Sequence, residues 1–377
     1  MKKSNRLSNL SCLFTLVSVS MLMMIGSPQT ASADIATVRT GSELTMAKMA
    51  RTHSIVEVRE AIGHCRDGKY DLAVPVLEKH AAKNDIGATF VLALLHQAGL
   101  GVEKSDEIAA GYLKNNSAHE PSLIALGEIR EKSNPAEAIS LYKKATIDGR
   151  SSGNLKLGDI YERGLLGKKA NPKLAFSYYE KAAKAELPLG YYHLARCYDQ
   201  GIGTSPNELL ATRTFLKSAM KGDAVAQLKM ARRYYEGKGL EPDPVAAFGW
   251  LTLASQSGSI EAMVLLGRRY ETGDIIPQNF DLAGKLYSKA ALSGDPTGMF
   301  YLAFLYANGK GTEQDLVRAY VLLHSSAKTL PKAKEALEEL EPKLSILQKH
   351  EAKEKIAQVN AKEGGDAKEG GDAKDGG

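Results

Sequence analysis

The chain reads as an all-α protein, a right-handed α/α solenoid of about seven helical hairpins. Three observations carry that reading. Glycines placed to stop a helix, Gly164, Gly201, Gly237, Gly273 and Gly309, stand 37, 36, 36 and 36 residues apart. Alanines on a second helix, Ala175, Ala211, Ala247, Ala283 and Ala319, step by 36 throughout. Aromatic Tyr161, Tyr198, Tyr234, Tyr270 and Tyr306 keep pace with both, and Gly222, Gly258 and Gly294 form a further column. Two helices per 36-residue period is the pattern of a solenoid, in which each hairpin buries its apolar face only against its neighbours.

The stretch from Leu189 to Asp223 shows one unit in full. Leu194 and Tyr198 lie four apart and share a helical face. Gly201 follows, where a residue with positive φ ends the helix. Ala211, Phe215 and Ala219 then give a second helix its apolar stripe, and Gly222 closes it.

The pattern Leu-Gly-x-x-Tyr-x-x-Gly, a loop, then Ala-x-x-x-(Tyr/Trp)-x-x-Ala-Ala resembles the Sel-1-like repeat, a cousin of the tetratricopeptide repeat. Leu157-Gly158-Asp159-Ile160-Tyr161-Glu162-Arg163-Gly164 matches the first half, and Ala175 to Ala183 matches the second. The resemblance covers roughly Asp71 to Ala327. It implies the fold, and it implies an interaction role without specifying a partner.

In chain order, residues 1–33 read as a secretory signal peptide. Lys2, Lys3 and Arg6 precede an apolar core from Leu10 to Ile25, and Ala31-Ser32-Ala33 places cleavage before Asp34. That core is short for a membrane span. Residues 34–53 are expected to form a tether and a helix starting near Ser42. The repeat region is expected over 54–327. It opens with a hairpin turned at Asp67-Gly68, whose stripe is Ala73, Leu77 and Ala81. The unit from Pro121 to Gly149 is shortened, with Lys132-Ser133-Asn134-Pro135 in place of the longer loop. Regular units follow at 153–183, 190–219, 226–255, 262–291 and 298–327. Residues 328–360 are expected to give a capping helix, Pro331 to Leu340, and an exposed helix. Residues 361–377 repeat Ala-Lys-Glu-Gly-Gly-Asp without a large apolar residue and are expected to be disordered.

Composition excludes several classes. Without the leader the formal charge of +5 falls to +2, which is no footprint of a nucleic-acid binder. Cys65 and Cys197 are 132 residues apart, more than three repeats, and a disulfide needs Cα atoms within about 7 Å. They are expected to remain unpaired, unlike the exported Sel-1-like proteins that staple each repeat and have a proposed penicillin-binding activity. The eight histidines show no His-Glu-x-x-His spacing, and no Gly-x-Ser-x-Gly elbow occurs. Gly309-Lys310-Gly311-Thr312 has phosphate-loop residue types in the wrong order. No catalytic residue, cofactor or metal is expected. His193, beside Leu194, reads as a hydrogen-bonded structural histidine.

If the repeats pack like tetratricopeptide repeats, the residue after each Leu-Gly motif faces a concave groove. That column holds Asp159, Arg196, Arg232, Arg268 and Phe304. Neighbouring columns hold Leu155, Tyr192, Leu228, Val264 and Phe300, then Glu162, Asp199, Tyr235, Glu271 and Ala307. Arg196, Arg232 and Arg268 would form a basic ladder near Tyr192, Tyr235, Phe300 and Phe304. Such a surface suits an acidic peptide or an anionic polysaccharide. The competing arrangement pairs each arginine with a carboxylate of the adjacent repeat, such as Asp199, Asp159 or Glu271. Tyr161, Tyr198, Tyr270 and Trp250 are read as core.

These residues lead to an exported, non-catalytic adaptor, periplasmic or secreted, that holds a partner protein in its groove. Resemblance to periplasmic Sel-1-like proteins implies two versions: a regulator of a membrane sensor kinase, or a scaffold of an exopolysaccharide secretion complex. The alternatives are a cell-wall or β-lactam hydrolase and a secreted factor that binds a host protein.

Overall fold

The computed structural model describes residues 49, 54–116, 118–147 and 151–368. Among them there are eighteen α-helices and no strand. The expected signal peptide, the tether apart from Met49, and residues 369–377 lie outside the described residues. The helices fall into two compact units, one up to Ser218 and one from Ala219.

The first unit contains α1 (Val56–Arg66), α2 (Tyr70–Ala81), α3 (Ile86–Ala98), α4 (Asp106–Lys114), α5 (Glu120–Ser133) and α6 (Pro135–Lys144). It continues with α7 (Ser152–Arg163), α8 (Pro172–Lys184), α9 (Pro188–Gln200) and most of α10 (Glu208–Met220). The second unit contains α11 (Ala224–Glu236), α12 (Pro244–Gln256), α13 (Ile260–Thr272), α14 (Phe280–Leu292), α15 (Pro296–Asn308) and α16 (Leu316–Ala327). Two further helices end it, α17 (Pro331–Leu340) and α18 (Ile346–Lys368). Within each unit, consecutive helices pair into hairpins and each hairpin packs on the next.

Local chemistry sets the helix ends. Each expected stop glycine is the left-handed cap of a first helix, with φ from 61° at Gly309 to 76° at Gly273. That conformation is nearly free for glycine and strained for other residues. A column absent from the sequence reading starts the second helix of each of the five regular units: Asn171, Asn207, Asp243, Asn279 and Asp315. Each side chain accepts a backbone N–H of the first turn, at 2.8–3.1 Å. Each also donates its own N–H to the carbonyl of the repeat tyrosine, Tyr161, Tyr198, Tyr234, Tyr270 or Tyr306, at 2.7–2.9 Å. One residue thus caps the second helix and ties the loop to the end of the first.

The second-helix alanines are buried, four of the five completely. A small residue there lets the two helices of a hairpin approach closely, and larger apolar side chains fill the space on either side. Tyr161 and Tyr198 pack against one core cluster, Tyr270 and Trp250 against another, all as partly buried side chains.

In the shortened unit, Asn134 alone separates α5 from α6 and caps the second of them. At the C-terminus, α17 covers the expected span, with Ala333 and Leu340 buried. The following helix differs from expectation in two ways. It packs against α16 and buries Ala352 completely, so it is docked on one side. It also crosses the expected disorder boundary at 361 and continues to Lys368. Ala361, Lys362 and Glu363 are good helix formers, and Gly364 and Gly365 each cost only about 1 kcal/mol in a helix already propagating.

Candidate interaction face

The packing between first and second helices is governed by a recurring trio. In the hairpin α7–α8, the Tyr179 ring lies over Gly158, and a Cβ there would overlap the ring. The Tyr179 hydroxyl donates to Glu162 at 2.7 Å. Gly158 and Glu162 are four apart and so lie on one helical face. Gly127, Glu131 and Tyr142 repeat the arrangement, as do Gly267, Glu271 and Tyr287, with the same 2.7 Å hydrogen bond. Burial and the adjacent glutamate push all three phenols far above their usual range, so each stays a donor. Where the glycine is Ala195, Ala231 or Ala303, the facing residue is Phe215, Leu251 or Leu323, and the acid position holds Asp199, Tyr235 or Ala307. The three positions change together because a methyl group on the first helix leaves no room for a tyrosine reaching across it.

This trio decides what the arginine column does. Arg196 donates to the second oxygen of Glu162 at 2.9 Å, with only 24% and 15% of the two side chains exposed. Arg196 also contacts His193 at 3.2 Å, and the His193 ring stacks on Tyr179 at 4.7 Å between centroids. Burial and Arg196 push His193 down to about 3. Both residues are structural. Tyr192 packs edge-on against His193 and tilted against Phe215, so it belongs to the same assembly.

Arg232 and Arg268 behave differently. Arg232 pairs with Glu261 at the surface, 46% and 58% exposed. Arg268 donates to the Tyr301 hydroxyl at 3.1 Å and lies over the Tyr301 ring. The carboxylates seen on the column are Glu162 for Arg196 and Glu261 for Arg232, each on an adjacent repeat. The acid that serves Arg196 sits one repeat earlier, and the position equivalent to Glu162 in the repeat before Arg268 is Tyr235.

Arg232, Tyr235 and Arg268 line one cavity of about 450 Å³ in the second unit. Leu228, Leu251 and Leu265 supply apolar lining. Arg269, which the sequence reading passed over, lies over the Tyr235 ring at 5.0 Å and pairs with Asp274 at 3.2 Å. Tyr235 itself is 55% exposed. Phe300 and Phe304 do not line the cavity: Lys332 sits over Phe300 at 4.6 Å and Lys310 over Phe304 at 5.5 Å. Of the residues read as groove neighbours, Val264 belongs to the core, and Leu228 is a core residue that also borders the cavity. The expected ladder is therefore divided, with Tyr192 and Arg196 in the first unit and the other five residues in the second.

Cys65 and Cys197 are free and buried, and burial pushes their thiols up to about 11 and about 12. Among the described residues, no group of His, Cys, Asp and Glu could hold a metal ion. None of the described helices is long and apolar enough to cross a membrane.

The Sel1 repeat model matches residues 87–114, 125–149, 151–187, 188–223, 224–259, 260–295 and 296–328, more than half of the chain. The chain belongs to the Sel1 repeat family. Sel1 repeats generally bind proteins, and the fold is typically a non-catalytic interaction scaffold. Two solved Sel1 structures are similar to it. One is a Sel1 repeat protein from Oxalobacter formigenes, 22% identical over 90% of this chain and 97% of that one, with a TM-score of 0.58. The other is c5321, a protective antigen present in uropathogenic Escherichia coli strains, 23% identical over 89% of this chain and 72% of that one, with a TM-score of 0.52. At these identities the likeness concerns the fold. No curated protein matches the chain significantly.

Proposed function

We propose that this Sel1 repeat protein is an exported, non-catalytic adaptor that holds a partner protein against its second unit. The observation that carries this reading is the cavity of Arg232, Tyr235 and Arg268 with its leucine lining. An exposed aromatic and guanidinium groups around an apolar recess are the residue types that dominate protein-binding energetics. The carboxylates bound to Arg232 and Arg269 are exposed, 58% and 52%. Such surface pairs are worth about 0–1 kcal/mol, so acidic groups of a partner can replace them at little cost. The basic, apolar and small-residue segments of residues 1–33 support export. A sensor-kinase regulator and a secretion scaffold are the two forms such an adaptor would take in an envelope.

The test is crosslinking capture from the envelope fraction, with the bound protein identified by mass spectrometry. Arg232→Glu with Tyr235→Ala is compared with Lys184→Glu on α8. Loss of one specific envelope protein in the first variant alone, with melting unchanged, supports the reading. Identical capture by both variants moves the binding surface elsewhere.

A further inference from the structure

We propose that the second unit carries a carboxylate-binding site centred on the Tyr301 hydroxyl, and that its ligand is an acidic peptide segment of the partner. This deepens the adaptor reading and rests on it. Two cations converge on one neutral oxygen: Arg268 donates to Tyr301 Oη at 3.1 Å and Lys332 reaches it at 3.5 Å. Lys332 also lies over the Phe300 and Tyr301 rings, at 4.6 and 4.8 Å. Among the described residues, neither cation has a carboxylate within ion-pair distance. A lone hydroxyl neutralises neither charge, so the pair is left with most of its capacity to bind an anion.

Comparison of the repeats explains why the charge is left over. Arg196 is neutralised by Glu162, and the equivalent acid position one repeat before Arg268 is occupied by Tyr235. The position of His193, which contacts Arg196, is occupied by Tyr301 three repeats on. Both rings stack on the tyrosine of a glycine-tyrosine-glutamate trio, His193 on Tyr179 and Tyr301 on Tyr287 at 5.3 Å. Tyr287 is fixed in turn by Glu271 and by its contact with Gly267. The two stacks differ in what surrounds them: Arg196, on the helix of His193, pairs with Glu162, whereas Phe304 holds the equivalent place beside Tyr301, and the cations there are Arg268 of the preceding repeat and Lys332. A carboxylate fits because an arginine fork and a lysine together supply charge-assisted donors, while Phe300 gives an adjoining apolar contact.

The test uses the full mature protein and a fluorescein-labelled polyglutamate peptide, followed by anisotropy. A polyglutamine peptide of equal length and an oligouronate are the comparison probes. Arg268→Gln and Lys332→Gln should each weaken polyglutamate binding about tenfold, the loss of one charge-assisted contact. Arg318→Gln, whose partner is Asp315, should leave it unchanged, and all three should melt like the parent. Equal binding of polyglutamine, or unchanged affinity in both Arg268→Gln and Lys332→Gln, would overturn the site. Tighter binding of the oligouronate would overturn the peptide as its ligand. Failure here with envelope capture intact removes this site alone. Polyglutamate binding without envelope capture removes the adaptor reading instead.

Discussion

Glu162 receives the hydroxyl of Tyr179 at 2.7 Å on one oxygen and the guanidinium of Arg196 at 2.9 Å on the other. The carboxylate thus joins the second helix of its own hairpin to the first helix of the next. It stabilises contacts within a repeat and between repeats at once, the two terms that set the stability of a solenoid.

Removing either partner should therefore be felt. Arg196→Met leaves a carboxylate that is only 15% exposed without its cation, and it should cost about 1–3 kcal/mol. Arg232→Met, in the same column but paired at the surface, should cost no more than about 1 kcal/mol. Urea unfolding of the two variants measures the contrast, and equal losses would contradict the division of the column.

The glycine in the trio should be replaceable only together with its tyrosine. Gly158→Ala drives a methyl group into the Tyr179 ring and should destabilise by about 1–3 kcal/mol. Adding Tyr179→Leu recreates the pairing of Ala231 with Leu251. The double variant should be more stable than the sum of the single losses predicts, and a double-mutant cycle reads the difference.

Acid should weaken the fold partly through His193. Its folded-state pKa lies well below the usual value of about 6.5, so between the two the unfolded chain binds a proton that the folded chain does not. Stability from this residue is present above about 6.5 and is lost progressively as pH falls toward about 3. His193→Phe keeps a ring on Tyr179 and should flatten the stability-against-pH curve in that window. An unchanged difference curve between the two proteins would rule the contribution out.

Thiol counting addresses both burial and processing. Buried Cys65 and Cys197, with thiols pushed up to about 11 and about 12, should not react with Ellman's reagent at neutral pH in the native protein. In denaturant a chain cleaved after Ala33 should release two thiols, whereas a chain that keeps Cys12 should release three. N-terminal sequencing that begins at Asp34 would agree with the lower count.

Much of the fold was readable because its determinants are local. A stop glycine such as Gly201 is required by the φ of one residue, so its recurrence reveals the period directly. The Asn171 cap was equally local and could have been found by aligning the repeats one residue at a time. The trio was harder to see. Gly158, Glu162 and Tyr179 mean little singly, and their shared variation with Ala195, Asp199 and Phe215 appears only when three columns are read together.

By itself, the sequence determined the helical hairpin, its 36-residue period, the helix stops and the alanine-lined core, since these follow from backbone conformation and the spacing of apolar side chains. It also brought forward Arg196, Arg232 and Arg268 as equivalent residues. Only the tertiary structure decided that they are not equivalent. Arg196 meets Glu162, 34 positions earlier, under a stacked ring. Arg232 meets an exposed Glu261, and Arg268 meets a hydroxyl. An arginine carries the same charge in all three places. What differs is the side chain that the stacking of neighbouring hairpins brings within reach, and the amount of water left between them.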